Sequence, residues 1–139
     1  MNEHTIPCTV GMLTRNSGKT LARALESVKH FSDIVICDGG STDGTLAIAK
    51  RYSARVIAQD SKFLDSQGRI ANFAAVRNQT LAAAKEQWFF FLDSDEFISE
   101  ELEREIRRMT FERNSGVFTV YRRYMQGGEE VMCSTTYPN

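Results

Sequence analysis

The stretch Ile34-Val35-Ile36-Cys37-Asp38-Gly39-Gly40-Ser41-Thr42-Asp43-Gly44 decides how this sequence is expected to fold. Its first four residues form a continuous apolar run, which is typical of a strand buried on both faces of a parallel sheet. The run ends in a cluster of turn-forming residues, where Asp43 or Ser41 can cap a helix over residues 45–52. The pattern predicts a strand, a polar loop and a helix in succession.

The same alternation of strand and helix continues on both sides of this stretch. Strands are predicted at 7–14, 34–37, 55–58, 88–92 and 116–121. Helices are predicted at 19–29, 45–52, 70–85 and 99–109. Residues 60–68 are expected to form a loop, and residues 124–139 show no clear period. This order indicates βαβ units and an α/β fold with a mostly parallel sheet flanked by helices. Because ligands bind beyond the carboxyl ends of parallel strands, we expect the polar clusters after the first, second and fourth strands to converge.

Length and composition limit the possible classes of protein. The 139 residues suit one domain, and 17 basic against 18 acidic residues leave a net charge of −1, so no overall field favours nucleic acid. The longest apolar run, Trp88 to Leu92, is far shorter than the ~20 residues of a membrane-spanning helix. The start has no signal-peptide pattern, and three widely spaced cysteines suggest neither a disulfide framework nor a zinc site. We therefore expect a cytoplasmic protein.

The segment Asp93-Ser94-Asp95 follows the apolar run and is the first candidate for chemistry. Two carboxylates at positions i and i+2 repel each other unless a cation lies between them, and Mg²⁺ or Mn²⁺ is the natural partner. Such an ion completes its coordination with waters and substrate phosphates. The alternative is an exposed acidic turn that caps the next helix. Arg77, on the preceding helix, either binds a diphosphate or is an ordinary surface arginine.

A second candidate site follows the strand at 34–37. Asp38 lies at the strand's carboxyl end, where it can accept a hydrogen bond from a base or a sugar hydroxyl, although a plain turn explains the same residues. A third segment, Gly18-Lys19-Thr20, stands where a phosphate-binding P-loop would open a helix. That motif needs glycine at the position of Leu13, so a P-loop is disfavoured.

In their order and spacing, these segments resemble the family 2 glycosyltransferases of the GT-A fold, the nucleotide-diphospho-sugar transferases with a Rossmann-like architecture. The resemblance lies in Thr14-Arg15-Asn16, Ile34 to Asp38 with Gly40-Ser41-Thr42-Asp43-Gly44-Thr45, Arg77-Asn78, and Phe91-Leu92-Asp93-Ser94-Asp95-Glu96. The tail, with Arg122-Arg123 and Tyr137-Pro138-Asn139, is similar to bacterial lipopolysaccharide-core glucosyltransferases.

The resemblance implies a nucleotide-sugar donor, usually a UDP-sugar, and transfer with inversion to a glycan or glycolipid. By the same resemblance, Thr14 and Asn16 line the nucleotide pocket, Asp38 meets the uracil or ribose, and Arg77 contacts the base or diphosphate. It also implies cytoplasmic action with peripheral association at the inner face of the membrane, and no nucleic-acid partner.

The family's metal site maps onto the acidic segment. Asp95 would ligate Mg²⁺ or Mn²⁺, and Asp93 would touch the ribose or the metal-bound waters. Many family members have a second acidic residue where this chain has Gly39, so base recognition is expected to differ.

The family's catalytic base lies well downstream of the metal motif, and we expect it beyond Asn139. Residues 1–139 are accordingly expected to be a nucleotide-sugar-binding domain whose acceptor-binding part is missing. Two alternatives stay open: a catalytically inactive binding fragment and, with less support, a P-loop NTPase.

Overall fold

The computed structural model describes residues 5–131, and a four-stranded parallel sheet forms its centre. The strands are β1 (Ile6–Thr14), β2 (Phe31–Asp38), β3 (Arg55–Ala58) and β4 (Trp88–Phe91), in the order β3-β2-β1-β4. The helices are α1 (Leu21–Ser27), α2 (Thr45–Arg51), α3 (Phe73–Ala82) and α4 (Glu100–Glu112). The predicted α/β class with a parallel, helix-flanked sheet is therefore confirmed.

Alternate residues of β1 face opposite sides of the sheet, and each side carries helices. One face contributes Ile6, Cys8, Val10 and Met12 to a buried core. This core also contains residues of α1, α2 and α4, including Leu21, Leu25, Ala49 and Ile106. The other face packs against α3, whose buried residues are Val76 and Thr80.

Gly11 allows β4 to pack closely beside β1. A Cβ atom at this position would lie 2.3 Å from the Phe89 ring and 3.0 Å from Cγ2 of Thr80. The ring therefore occupies the space above the β1 backbone, and it contacts Phe91 edge-on at 4.5 Å between centroids. Gly11 serves packing, which explains its presence inside a strand.

The order of the strands creates a switch point beside β1. The chain proceeds outward from β1 through β2 to β3, and α3 then returns it to the opposite side of β1, where β4 pairs. Loops after β1 and β4 thus lead in opposite directions and leave a crevice at the carboxyl edge. In open α/β sheets this crevice is the usual place for a ligand.

The strand predicted at residues 116–121 is wrong, because the structure has neither helix nor strand there. Val117 is 99% exposed, and Phe118 turns back onto Trp88 with 5.9 Å between ring centroids. Another departure is a short hairpin of β5 (Tyr124–Gln126) and β6 (Glu129–Val131) in the region without a clear period.

Two smaller differences concern the helices. The loop predicted at 60–68 contains a 3-10 helix at Ser61–Phe63, capped by Asp60. The last helix extends to Glu112 rather than 109. None of the helices within residues 5–131 has the length and apolar content to cross a bilayer.

A buried carboxylate ties the amino ends of the strands together. Asp33 accepts hydrogen bonds from the Thr9 hydroxyl at 2.7 Å and from Arg55 at 2.8 and 2.9 Å. The Lys85 amide donates a further bond at 3.1 Å. Burial by itself would raise the pKa of Asp33, but hydrogen bonds from Arg55, Thr9 and the Lys85 amide lower it overall.

We expect Asp33→Asn to lower the free energy of unfolding by about 3 kcal/mol near neutral pH, because the partly buried Arg55 would lose its charged partner. The folded-state pKa lies below the ordinary value, so the stabilisation is present above that value and is lost as the pH falls through the folded pKa. Urea unfolding of both proteins at about pH 7 and about pH 3 measures this change.

Asp95→Asn is the matched control, since it makes the same substitution at an exposed carboxylate and should change stability by less than about 0.5 kcal/mol. A difference between wild type and Asp33→Asn that stays constant across the two pH values would contradict the electrostatic explanation.

Candidate functional site

A cleft of about 620 Å³ opens at the carboxyl edge of the sheet, at the switch point between β1 and β4. Its walls come from the loops after β1, β2 and β4 and from one side of α3. The predicted convergence of polar clusters is therefore confirmed. The lining residues are Leu13, Asn16, Ser17, Lys19, Thr20, Asp43, Phe73, Arg77, Asp93, Ser94 and Asp95.

Asp38 organises the loop after β2 and is not among the residues that line the cleft. Its carboxylate accepts four hydrogen bonds: from the hydroxyls of Thr14 and Ser41 at 2.7 and 2.6 Å, and from the amides of Gly40 and Ser41 at 3.0 and 2.8 Å. Burial alone would raise the pKa of Asp38, and the Ser41, Thr14 and Gly40 hydrogen bonds lower it overall. Asp38 is 6% exposed and Thr14 is 2% exposed, so both act here as parts of the loop's frame.

Asn16 joins the loops after β1 and β2. Its backbone has a φ of 51°, in the left-handed region that asparagine adopts more readily than most residues. The amide of Asn16 donates to the Ser41 hydroxyl at 2.8 Å. Its side-chain oxygen accepts from the amides of Thr42 at 2.8 Å and Asp43 at 3.3 Å. The two loops are thus held as one surface.

The amides of the segment that imitates a P-loop are already occupied. Ser17 donates its amide to the Thr45 hydroxyl at 2.8 Å, and Gly18 donates to the Asp43 carboxylate at 2.9 Å. A P-loop needs such amides free to surround a phosphate, and a carboxylate beside Gly18 would repel one. The structure therefore argues against the P-loop alternative.

The acidic segment after β4 forms a turn on the cleft wall. The Asp93 amide donates to the Glu96 carboxylate at 2.9 Å, and Ser94 contacts Ser17 across the cleft at 3.1 Å between hydroxyl oxygens. The carboxylate of Asp95 has no hydrogen-bond or ion-pair partner among residues 5–131. Helix α4 is capped by Ser99, which accepts from the Leu102 amide at 3.1 Å, so the acidic turn does not serve as its cap.

The donor set suits a hard divalent cation that arrives with a phosphate. Asp93 and Asp95 offer carboxylate oxygens in the cleft, yet no group of three His, Cys, Asp or Glu side chains within the described residues is placed to hold a metal alone. Mg²⁺ and Mn²⁺ accept one or two carboxylates when waters and substrate phosphates supply the remaining ligands. Lys19 and Arg77 line the same cleft without a carboxylate partner in this part of the chain.

Four of the six predicted site residues line the cleft: Asn16, Arg77, Asp93 and Asp95. Sequence reasoning did not single out Phe73, which is 56% exposed on the cleft wall. Its place at the start of α3, four residues before Arg77, was the available signal, since both residues share one helix face.

Gln59 fills the space beside Gly39, the position at which the sequence resemblance leads to the expectation of an acidic residue. The Gln59 amide nitrogen donates to the carbonyls of Cys37 at 3.1 Å and Thr14 at 3.4 Å, which fixes the orientation of the side chain. Its Oε1 atom is buried and accepts no hydrogen bond within the described residues. A Cβ atom at position 39 would lie 2.8 Å from that oxygen.

Comparison of sequences identifies the relatives of this chain. The family model described as glycosyl transferase family 2 matches residues 9–136. An uncharacterized glycosyltransferase of Rickettsia conorii is 30% identical over 111 residues, which make up 79% of this chain and 36% of the relative. A TPR repeat-containing protein of Synechococcus elongatus is 34% identical over 119 residues, covering 85% of this chain and 28% of the relative. The chain thus spans only 28% and 36% of these two relatives' lengths.

Comparison of structures confirms the GT-A fold. TarS of Staphylococcus aureus (residues 1–349) matches with a TM-score of 0.61 and 24% identity, covering 77% of this chain and 33% of that one. A crystal structure of the same TarS fragment in complex with UDP matches with a TM-score of 0.58. A third match is glucosyl-3-phosphoglycerate synthase of Mycobacterium tuberculosis in complex with Mn²⁺, UDP and glucosyl-3-phosphoglycerate. It has a TM-score of 0.51 and 20% identity, and the match covers 66% of this chain and 36% of that one.

We expect Asp38→Asn to lower the free energy of unfolding by about 2–3 kcal/mol, because an amide nitrogen would face donors that now bind a carboxylate oxygen. Hydrogen exchange of the Gly40 and Ser41 amides should accelerate more than that of Thr42, whose amide is held by Asn16. Asp60→Asn, which alters a partly exposed cap on the next loop, should leave the Gly40 and Ser41 amides unchanged. Equal exchange rates in wild type and Asp38→Asn would contradict the framing role of Asp38.

Gly39→Ala should destabilise the fold by about 1–3 kcal/mol through contact with Gln59. Adding Gln59→Ala makes room for the new methyl group, so the double variant should lose less stability than the sum of the two single changes. A double-mutant cycle measured by urea unfolding tests this coupling. Gly44→Ala is the control, because no atom lies within 4 Å of a Cβ there. Strict additivity would show that Gln59 does not limit position 39.

Proposed function

The chain belongs to glycosyl transferase family 2, and we propose that its cleft binds the nucleoside diphosphate portion of a UDP-sugar together with Mg²⁺ or Mn²⁺. The proposal rests on charges of both signs that share one cleft and have no ion-pair partner among residues 5–131. Asp95 offers a carboxylate, and Lys19 and Arg77 offer cations, at the switch point of a parallel sheet. A metal-bound diphosphate is a ligand that satisfies both sets of charges.

In this proposal each wall of the cleft contacts a different part of the donor. Asp93 and Asp95 would hold the divalent cation, and Arg77 and Lys19 would bind phosphate oxygens. Arg77 suits this task because its guanidinium presents several donors in a fixed plane. The exposed ring of Phe73 offers a flat apolar surface for the base or ribose.

The proposed reaction is transfer of a sugar, with inversion, to a hydroxyl of a glycan or glycolipid. A divalent cation, when bound, stabilises the negative charge that grows on the departing nucleoside diphosphate. Arg77 and Lys19 would add fixed positive charge at the same oxygens, which lowers the barrier because the groups are already in place. A carboxylate elsewhere in the enzyme would accept the proton of the acceptor hydroxyl.

The structural relatives support the choice of donor and cation. UDP is bound in the TarS complex, and UDP with Mn²⁺ in the mycobacterial synthase complex. The locked arrangement of Asn16 and Asp38 supports a preformed pocket rim, since the loops that face the ligand keep their shape through their own hydrogen bonds.

Titration of the chain with UDP by calorimetry, with and without Mn²⁺, tests the proposal. We expect Mn²⁺ to strengthen UDP binding, and Asp95→Asn to weaken it by at least about tenfold in the presence of Mn²⁺, because a neutral amide is a poorer ligand for a hard cation. The same substitution should have little effect without Mn²⁺. GDP and ATP serve as competing nucleotides.

Glu100→Gln is the matched control: it converts an exposed carboxylate of α4 to an amide outside the cleft and should leave UDP affinity unchanged. Tight ATP binding that Asp95→Asn leaves unchanged would contradict the glycosyltransferase proposal and favour a site for a nucleoside triphosphate. UDP binding without transfer to any sugar acceptor would support the alternative of an inactive binding module.

A further inference from the structure

Arg122 reaches the acidic turn from a different part of the chain. Its Nε atom lies 2.9 Å from Oε2 of Glu96, and its Nη2 atom lies 3.9 Å from Oδ2 of Asp93. The other oxygen of Glu96 accepts the backbone amide of Asp93 at 2.9 Å. Arg122, Glu96 and Asp93 therefore form a closed set of contacts at the edge of the cleft.

The contact between Arg122 and Asp93 is the weak part of this set. Their side chains are 61% and 52% exposed, and 3.9 Å between the charged atoms is too long for a hydrogen bond. Exposed pairs of this kind are held loosely because water screens them. The ion pair between Arg122 and Glu96 has a shorter distance, and the Glu96 side chain is only 25% exposed. Glu96 therefore holds the guanidinium in place, while Asp93 can exchange partners.

A positive charge at this position discriminates among ligands of the cleft. A free divalent cation at Asp93 would be repelled by Arg122 and would have to displace Arg122 from Asp93. A cation that carries a diphosphate brings enough negative charge for the interaction between Arg122 and the ligand to become attractive. Arg77 and Lys19 act in the same direction from other walls of the cleft.

We propose that Arg122 is a positioning residue that makes divalent-cation binding at Asp93 depend on the diphosphate. Held by Glu96, it serves as the counter-ion of Asp93 in the empty cleft, lowers affinity for the cation alone, and favours the cation–diphosphate complex. This inference rests on the proposed function, because it assumes that a nucleoside diphosphate binds in the cleft.

Calorimetric titration with Mn²⁺, in the absence and in the presence of saturating UDP, tests the inference on the intact chain. For Arg122→Gln we expect affinity for Mn²⁺ alone to increase at least about threefold. The ratio of Mn²⁺ affinities with and without UDP should fall by a similar factor, because that ratio measures the coupling between the two ligands. Arg122→Lys keeps the charge and should stay closer to wild type than Arg122→Gln does.

Arg51→Gln is the matched control: it removes the same charge at an exposed residue of α2 and should leave Mn²⁺ affinity unchanged. Thermal unfolding of each variant confirms that the fold is intact. Unchanged or weaker binding of Mn²⁺ by Arg122→Gln, including no detectable binding, would overturn the inference. Failure of the wild-type chain to bind UDP with Mn²⁺ would instead contradict the proposed function, and the comparison with Mn²⁺ alone would then show only whether Arg122 lowers affinity for the free cation.

Discussion

The arrangement of the cleft depends on the buried carboxylate of Asp38. A carboxylate in this position must find donors, because an ionised group without partners is costly to remove from water. Here the donors are Thr14 on one strand and the turn residues that follow Asp38 itself. By satisfying one charge, the chain fixes the end of β1 to the loop after β2, and Asn16 then extends the same surface toward the cleft.

Strand β2 carries a second buried carboxylate, Asp33, near its other end. Asp33 is paired with an arginine, so a full opposite charge offsets its burial. Among residues 5–131, Asp38 accepts hydrogen bonds from neutral donors only, and the cations Lys19 and Arg77 at the carboxyl edge stay exposed in the cleft. The burial of Asp33 is therefore offset by a salt bridge, and the burial of Asp38 by neutral hydrogen-bond donors. The first arrangement suits a structural edge of the sheet, and the second suits an edge that binds a ligand.

Much of this could be predicted from the sequence. The parallel sheet and the meeting of three polar loops follow from strand–helix alternation, because parallel strands place their carboxyl ends together. Local patterns could not reveal that Thr14 and Asp38 face each other across two strands, since that contact depends on register. The predicted strand at 116–121 failed for a related reason: β-prone residues such as Val117 form a strand only when a partner strand offers its edge. Arg122 was also unpredictable as a neighbour of Asp93, because only the path of the chain after α4 brings them together.

The hydrogen bonds that fix the loop around Asn16 would also affect the rate of ligand association and its cost in conformational entropy. Loop amides that already have protein partners do not have to be ordered when a ligand arrives, so association loses little conformational entropy. If the cleft binds nucleotides as proposed, a pocket rim of this kind would favour rapid encounter over slow induced closure, and differences in affinity among nucleotides would lie mainly in their residence times. The left-handed turn at Asn16 is, in this sense, a kinetic feature as well as a structural one.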